Sequence, residues 1–205
     1  MNNQNASRIV PAMKRTSLLL AALMLFSALP VLAQSTEFGV LVGGSRRFVD
    51  GANKEDGVEF DDSTFSLSNN VFELFGGVQI EPDVWIKIKG GRIETPVAVA
   101  YTIPTSDKTF RRDVKDGEVQ HLEMNVEYRF SETFGSTGLF AGLGYYRVSA
   151  PDTDTESNFG ANAGVNALFP INRRYAVLVE GTYHWANAPF QQRFMTATAG
   201  LRMAF

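Results

Sequence analysis

The feature that most constrains this chain is an alternation with a period of two, repeated over segment after segment. In HLEMNVEYRF (121–130), Leu122, Met124, Val126, Tyr128 and Phe130 alternate with Glu123, Asn125, Glu127 and Arg129. Successive side chains of a β-strand point to opposite faces, whereas a helix would repeat every 3.6 residues, so this pattern predicts a strand. The same reading holds for VWIKIKG (84–90), NFGANAGVNALF (158–169), YAVLVEGTYHW (175–185) and the final residues 195–205. Glycines blur the two faces in TEFGVLVGGSRRF (36–48), VFELFGGVQI (71–80) and GLFAGLGYYRV (138–148), and the last of these reads in either parity. The expectation is an all-β chain of about eight strands, each tall enough to cross an apolar layer about 25 Å thick when tilted.

The residue types on each face say which one is wet. In a soluble sandwich the apolar face packs inward and the charges face water. Here the non-apolar faces are rich in Gly, Ala, Thr and Asn, as the crowded interior of a narrow barrel requires. The apolar faces end in rings: Phe205, Phe130, Phe169 and Tyr175 at one end, Trp185, Tyr183 and Phe159 towards the other. Aromatic girdles at two membrane interfaces have this form. The predicted fold is therefore an antiparallel up-and-down transmembrane β-barrel.

Connection lengths also alternate. Residues 81–83, 131–138 and 170–174 are shortish, while the connections between them, 49–70, 94–118, 150–157 and 187–192, include two, the first two, that are long and charged. Short periplasmic turns and longer external loops are the transmembrane-barrel arrangement, and an even strand number places both ends of the barrel with the short turns.

At the N-terminus, Lys14 and Arg15 precede an apolar run from Leu18 to Leu29, then Pro30 and a small-residue site ending at Ala33. This is the organisation of a cleaved secretory signal peptide. The expected division is a signal segment, 1–33, carrying a polar extension over 1–12, followed by one barrel domain, 34–205, with cleavage between Ala33 and Gln34; the start falls at Met1 or Met13. The formal net charge is −3, and the signal segment removes Arg8, Lys14 and Arg15 with no acid. The acidic remainder argues against a nucleic-acid partner. Cysteine is absent, which excludes disulfides and thiolate metal sites.

The chain ends in TATAGLRMAF, with an aromatic ring as its last residue. The last strand of a closed barrel is paired on both sides and can stop flush at the interface. Thr198, Gly200, Met203 and Phe205 match the polar-x-Gly-x-x-hydrophobic-x-aromatic ending of bacterial outer-membrane barrels. Over residues 36–205 the chain resembles the small eight-stranded outer-membrane barrels of the OmpA/OmpX type, in their free-standing form. The resemblance is one of pattern and size. It implies placement in the cell outer membrane, contact with outer-membrane lipid and lipopolysaccharide, recognition of the C-terminal strand by the barrel-assembly machinery, and a monomer.

Facing inward by this reading are Glu73, Lys87, Lys89, Glu123, Glu127, Arg129, Glu180, His184 and Arg202. Charges in a narrow lumen must be paired or hydrated, because a bare one costs several kcal/mol. The expectation is a salt-bridged plug, with Lys87 and Glu127 paired across neighbouring strands. EGTYHWANA (180–188) faintly resembles the His-x-Ser-Asn stretch of outer-membrane lipid A deacylases, but Ala186 stands where the nucleophilic Ser is required. His121 sits near a loop end with nothing convergent in sequence. Asp152, Asp154 and Glu156 lack the Gly and distal Glu of a calcium loop and read as solvated, as does the acidic run 50–62. Arg111, Arg112 and Lys115 lie in the second long loop and read by default as a solvated face, with direct contact to lipopolysaccharide phosphates as the alternative. The reading is a non-enzymatic barrel without catalytic residues, metal or cofactor, serving envelope integrity or surface interaction. A narrow channel for small hydrophobic molecules, resembling the OmpW type, is the alternative, and a lipid A-modifying enzyme comes third.

Overall fold

The computed structural model describes residues 35–48, 69–102, 109–114, 116–132, 135–151, 154–187 and 192–205. The signal segment and the run 50–62 lie outside them. Ten strands follow in chain order: β1 (Thr36–Phe48), β2 (Asn70–Glu81), β3 (Val84–Glu94), β4 (Val97–Thr102), β5 (Thr109–Val114), β6 (Glu118–Glu132), β7 (Gly135–Ser149), β8 (Glu156–Pro170), β9 (Tyr175–Ala186) and β10 (Gln192–Ala204). Eight of them close a barrel in the order β1-β10-β9-β8-β7-β6-β3-β2, every neighbour antiparallel. Closure joins the first strand to the last, with Glu37 opposite Ala204 and Phe205 N donating to Thr36 O at 2.9 Å.

Two segments depart from the sequence reading. The connection 94–118 contains the hairpin of β4 and β5, a two-stranded sheet of its own. The charges of FRRDVKD read as a solvated loop, and each strand of this hairpin is only six residues long, too short for the period-two pattern to stand out. The turn expected over 131–138 is shorter, because β6 continues to Glu132 and β7 begins at Gly135, opposite it. Ser136 and Thr137 are polar yet pair as strand residues with Ser131 and Phe130. Gly135 has φ 153°, a conformation in which a Cβ would be strained.

The wall is apolar outside and polar within. Leu122, Met124, Val126, Leu139, Leu143, Phe159, Val165 and Leu201 are all more than half exposed, and on both sides of Leu122, Met124, Val126 and Leu139 the strand neighbours are buried. An exposed patch of this size is incompatible with water and fits a hydrocarbon surround. Strand β7, ambiguous in sequence, turns Phe140, Tyr146 and Val148 inward and Leu139, Leu143 and Tyr145 outward. Two apolar clusters complete the interior. Val71, Ile93, Val97, Val119, Val148, Ala186 and Phe194 pack with Tyr146 at the long-loop end, and Leu41, Phe75, Leu168, Ala176 and Leu178 line one wall towards the short-turn end.

Candidate functional site

The inner wall carries two clusters of charge. The first lies towards the short turns. Trp85 and Lys87 on β3, Glu127 and Arg129 on β6, Glu37 on β1 and Arg202 on β10 all point into the lumen. Arg129 grips Glu37 with both terminal nitrogens, Nη2 to Oε1 at 2.5 Å and Nη1 to Oε2 at 2.8 Å, and its Nε donates to Glu127 Oε1 at 2.5 Å. Lys87 Nζ lies 2.8 Å from Glu127 Oε2 and 3.7 Å from Glu37 Oε1. Arg202 Nε donates to Glu37 Oε2 at 2.9 Å. The Arg129 guanidinium also stacks 4.1 Å from the centre of the Trp85 ring.

The register explains how such distant strands meet. Glu37 stands opposite Gly77 on β2, and Gly77 stands opposite Lys87 on β3. A methyl group on Gly77 would sit 3.1 Å from the Cγ atoms of both Glu37 and Lys87. The glycine leaves the space across which these two side chains approach. Lys87 faces Asn125 in the ladder, so its contact with Glu127 is a diagonal one.

The second cluster lies in the middle of the barrel and towards the long loops. Lys89 Nζ donates to Glu180 Oε1 at 2.7 Å and to Thr182 Oγ1 at 3.2 Å, and lies 3.6 Å from Glu123 and 3.8 Å from Glu73. Glu123 Oε1 is a hub. It accepts from Tyr146 Oη at 2.8 Å and lies 2.9 Å from His184 Nδ1 and 3.0 Å from His121 Nδ1. His121 Nε2 in turn lies 3.2 Å from Glu73 Oε1. His121 is therefore not isolated: β6 begins at Glu118, which carries this ring into the lumen against Glu73, Glu123, Tyr146 and His184.

His184 Nε2 faces Thr196 Oγ1 at 3.2 Å, so Thr196, His184 and Glu123 stand in the order of a nucleophile, a base and an orienting acid. A substrate has no place beside them. Thr196 and His184 are wholly buried, and the Phe194 ring stacks on His184 with centroids 4.6 Å apart. The void between the two clusters, lined by Phe75, Lys87, Lys89, Asn125, Phe140 and Glu180, has a volume of about 10 Å³, room for one water.

Every inward charge named from sequence lies on the inner wall: Glu73, Lys87, Lys89, Glu123, Glu127, Arg129, Glu180 and His184 buried, and Arg202 partly so. Glu37 was missed. Glycines at 39, 43 and 44 disguise its strand, and only the alignment of Glu37 with Leu41 marks it as inward. Ala186, at the position where a Ser would be needed, is buried in the apolar cluster. Among the described residues no group of three or more His, Asp or Glu side chains is arranged to hold a metal. Thr198 faces the lumen, and Gly200, Met203 and Phe205 follow it along β10, with Phe205 exposed at the barrel rim. Asp154 and Glu156 precede or open β8, while Asp152, Lys115 and the side chains of Arg111 and Arg112 lie outside the described residues.

The sequence profile of the outer membrane protein beta-barrel domain matches residues 18–205. No curated protein matches the chain in sequence. Among solved structures, the chain is similar to the N-terminal β-barrel domain of Pseudomonas aeruginosa OprF, with 13% identity and a TM-score of 0.53 over 84% of this chain and 98% of that one. It is also similar to the outer membrane protein OprG from Pseudomonas aeruginosa, with 10% identity and a TM-score of 0.50 over 84% and 96%. Ail, the attachment invasion locus protein of Yersinia pestis, matches at 12% identity and a TM-score of 0.49 over 83% and 98%. At such identities, the likeness to the OprF domain and to OprG shows the fold alone.

Proposed function

Because the chain belongs to the outer membrane protein beta-barrel family and sits in the outer membrane, we propose that it is a closed barrel with a structural or surface-interaction role. The observation that carries this reading is the filled lumen. Charge-assisted contacts run from Arg202 through Glu37, Arg129 and Glu127 to Lys87, the Lys89 cluster follows, and the space between holds about 10 Å³. An ion crossing the barrel would have to break several of these contacts, each worth about 1.5–3 kcal/mol. Above the charges, Val71, Ile93, Val119, Val148 and Phe194 form an apolar cap. The long connections at that end would then meet surface partners, with lipopolysaccharide phosphates as candidate anions.

No enzymatic role is assigned, since the triad-like set found among the described residues, Thr196, His184 and Glu123, is enclosed. The last residues, Thr198, Gly200, Met203 and Phe205, serve as the signal read by the barrel-assembly machinery. Phe205 is exposed and makes few packing contacts, so removing it should lower outer-membrane levels in cells while leaving detergent refolding intact. The decisive experiment for the lumen is planar-bilayer recording on the refolded protein. A closed barrel gives no steady conductance, whereas steady conductance would favour the narrow-channel reading.

A further inference from the structure

On the outer wall, strands β7, β8 and β9 form a groove towards the short-turn end, with a volume of about 450 Å³. Two ladder rows build it. In the lower row Phe130, Thr137, Ala167 and Val179 stand side by side; in the upper row Leu139, Val165 and Gly181 do so. The large side chains make the sides, and Ala167 and Gly181 leave the depression. Gly181 has no structural reason to be glycine. An added Cβ would meet nothing within 4 Å, and its φ is not in the left-handed region. A glycine within a strand costs about 0.5–1 kcal/mol against alanine, so what it contributes here is empty space facing the hydrocarbon.

The foot of the groove is marked by charge. Ala167 lies three residues before the end of β8, and Val179, its ladder partner, lies shortly after the start of β9. The turn between them carries Arg173 and Arg174, both exposed, about 10–15 Å below the lower row by strand rise. Neither guanidinium has a carboxylate partner among the described residues. The other described turn at this end, Glu81-Pro82-Asp83, is acidic. Phe169 and Tyr175 flank the arginine turn at the interface level. An apolar trough that runs up from an unpaired basic turn has the shape of one amphiphile: a chain above and an anionic head below.

We propose that this groove is a binding site for a single anionic phospholipid of the periplasmic leaflet, one acyl chain lying against Ala167 and Gly181 and the phosphate held by Arg173 and Arg174. The site is independent of whether the lumen conducts.

The test is native mass spectrometry of the barrel released from nanodiscs of equal parts phosphatidylglycerol and phosphatidylethanolamine. The wild type should retain one phosphatidylglycerol. Gly181→Leu puts a side chain into the groove from a position where a Cβ meets nothing within 4 Å, and should lower retention of that lipid about tenfold, the worth of one lost charge-assisted contact that the chain no longer positions. Arg173→Gln with Arg174→Gln should abolish the preference for phosphatidylglycerol while retaining a lipid. Heat-modifiable migration in gels reports that each variant is folded. Equal retention by the wild type and Gly181→Leu overturns the site. So does retention of lipopolysaccharide in preference to phosphatidylglycerol when both are supplied, or a wild-type dimer that Gly181→Leu disperses.

Discussion

Glu37 is the residue whose loss should be felt most. Its side chain is fully buried, and its two oxygens receive Arg129 twice, at 2.5 and 2.8 Å, and Arg202 at 2.9 Å, with Lys87 at 3.7 Å. The cluster holds three cations against two carboxylates, and Glu37→Ala leaves Glu127 alone among Lys87, Arg129 and Arg202. Removing one partner of a buried ion pair costs about 3–5 kcal/mol, chiefly because the remaining charge stays buried and unpaired. Arg202 relieves part of this, since its side chain is 17% exposed and can turn towards the short-turn end. The expected loss is therefore near the lower limit, about 3 kcal/mol. Arg202→Met removes the surplus cation and should cost only about 1 kcal/mol. The assay is equilibrium unfolding in urea with the protein in lipid vesicles. The chain has two tryptophans; in a Trp185→Phe background the emission reports Trp85, which lies under the Arg129 guanidinium. If Glu37→Ala unfolds within about 1 kcal/mol of its parent, as the exposed Glu81→Ala should, the cluster does not hold the barrel together in a membrane.

The Lys87–Glu127 contact of 2.8 Å predicts a coupling of about 1–3 kcal/mol in a double-mutant cycle of Lys87→Met and Glu127→Leu, read by the same unfolding assay; additive changes would break the pair. Facing is tested on β6, where Met124 is 59% exposed and Asn125 is buried with an unpaired Oδ1. Met124→Arg puts a cation into lipid and should cost about 2–4 kcal/mol, while Asn125→Ala should cost under about 1 kcal/mol because it removes a polar group left without a partner; comparable losses would reverse the strand. Tyr146→Phe deletes the hydroxyl that donates to Glu123 at 2.8 Å and should destabilise by about 1–2 kcal/mol, and wild-type stability in that variant would remove Tyr146 from the hub.

The facing of some strands is legible in their own sequence; what depends on pairs of strands is not. In HLEMNVEYRF every outward residue is large and apolar and every inward one polar, so facing follows from the segment alone. In TEFGVLVGGSRRF it does not, because the space above an inward glycine belongs to a neighbour. The Phe75 ring lies where a side chain on Gly39 would go, and Glu37 and Lys87 meet over Gly77. A narrow barrel must set small residues beside large ones on adjacent strands, so glycine on one strand is the counterpart of Phe, Glu or Lys on the next. That relation needs the register, which fixes Glu37 to Gly77 to Lys87 and cannot be had from any single segment. The same reasoning separates the two kinds of glycine in this wall. Inside, Gly39 and Gly77 are matched by a neighbour's side chain. Gly181, outside, is matched by nothing in the protein, and the partner that would complete it has to come from the membrane.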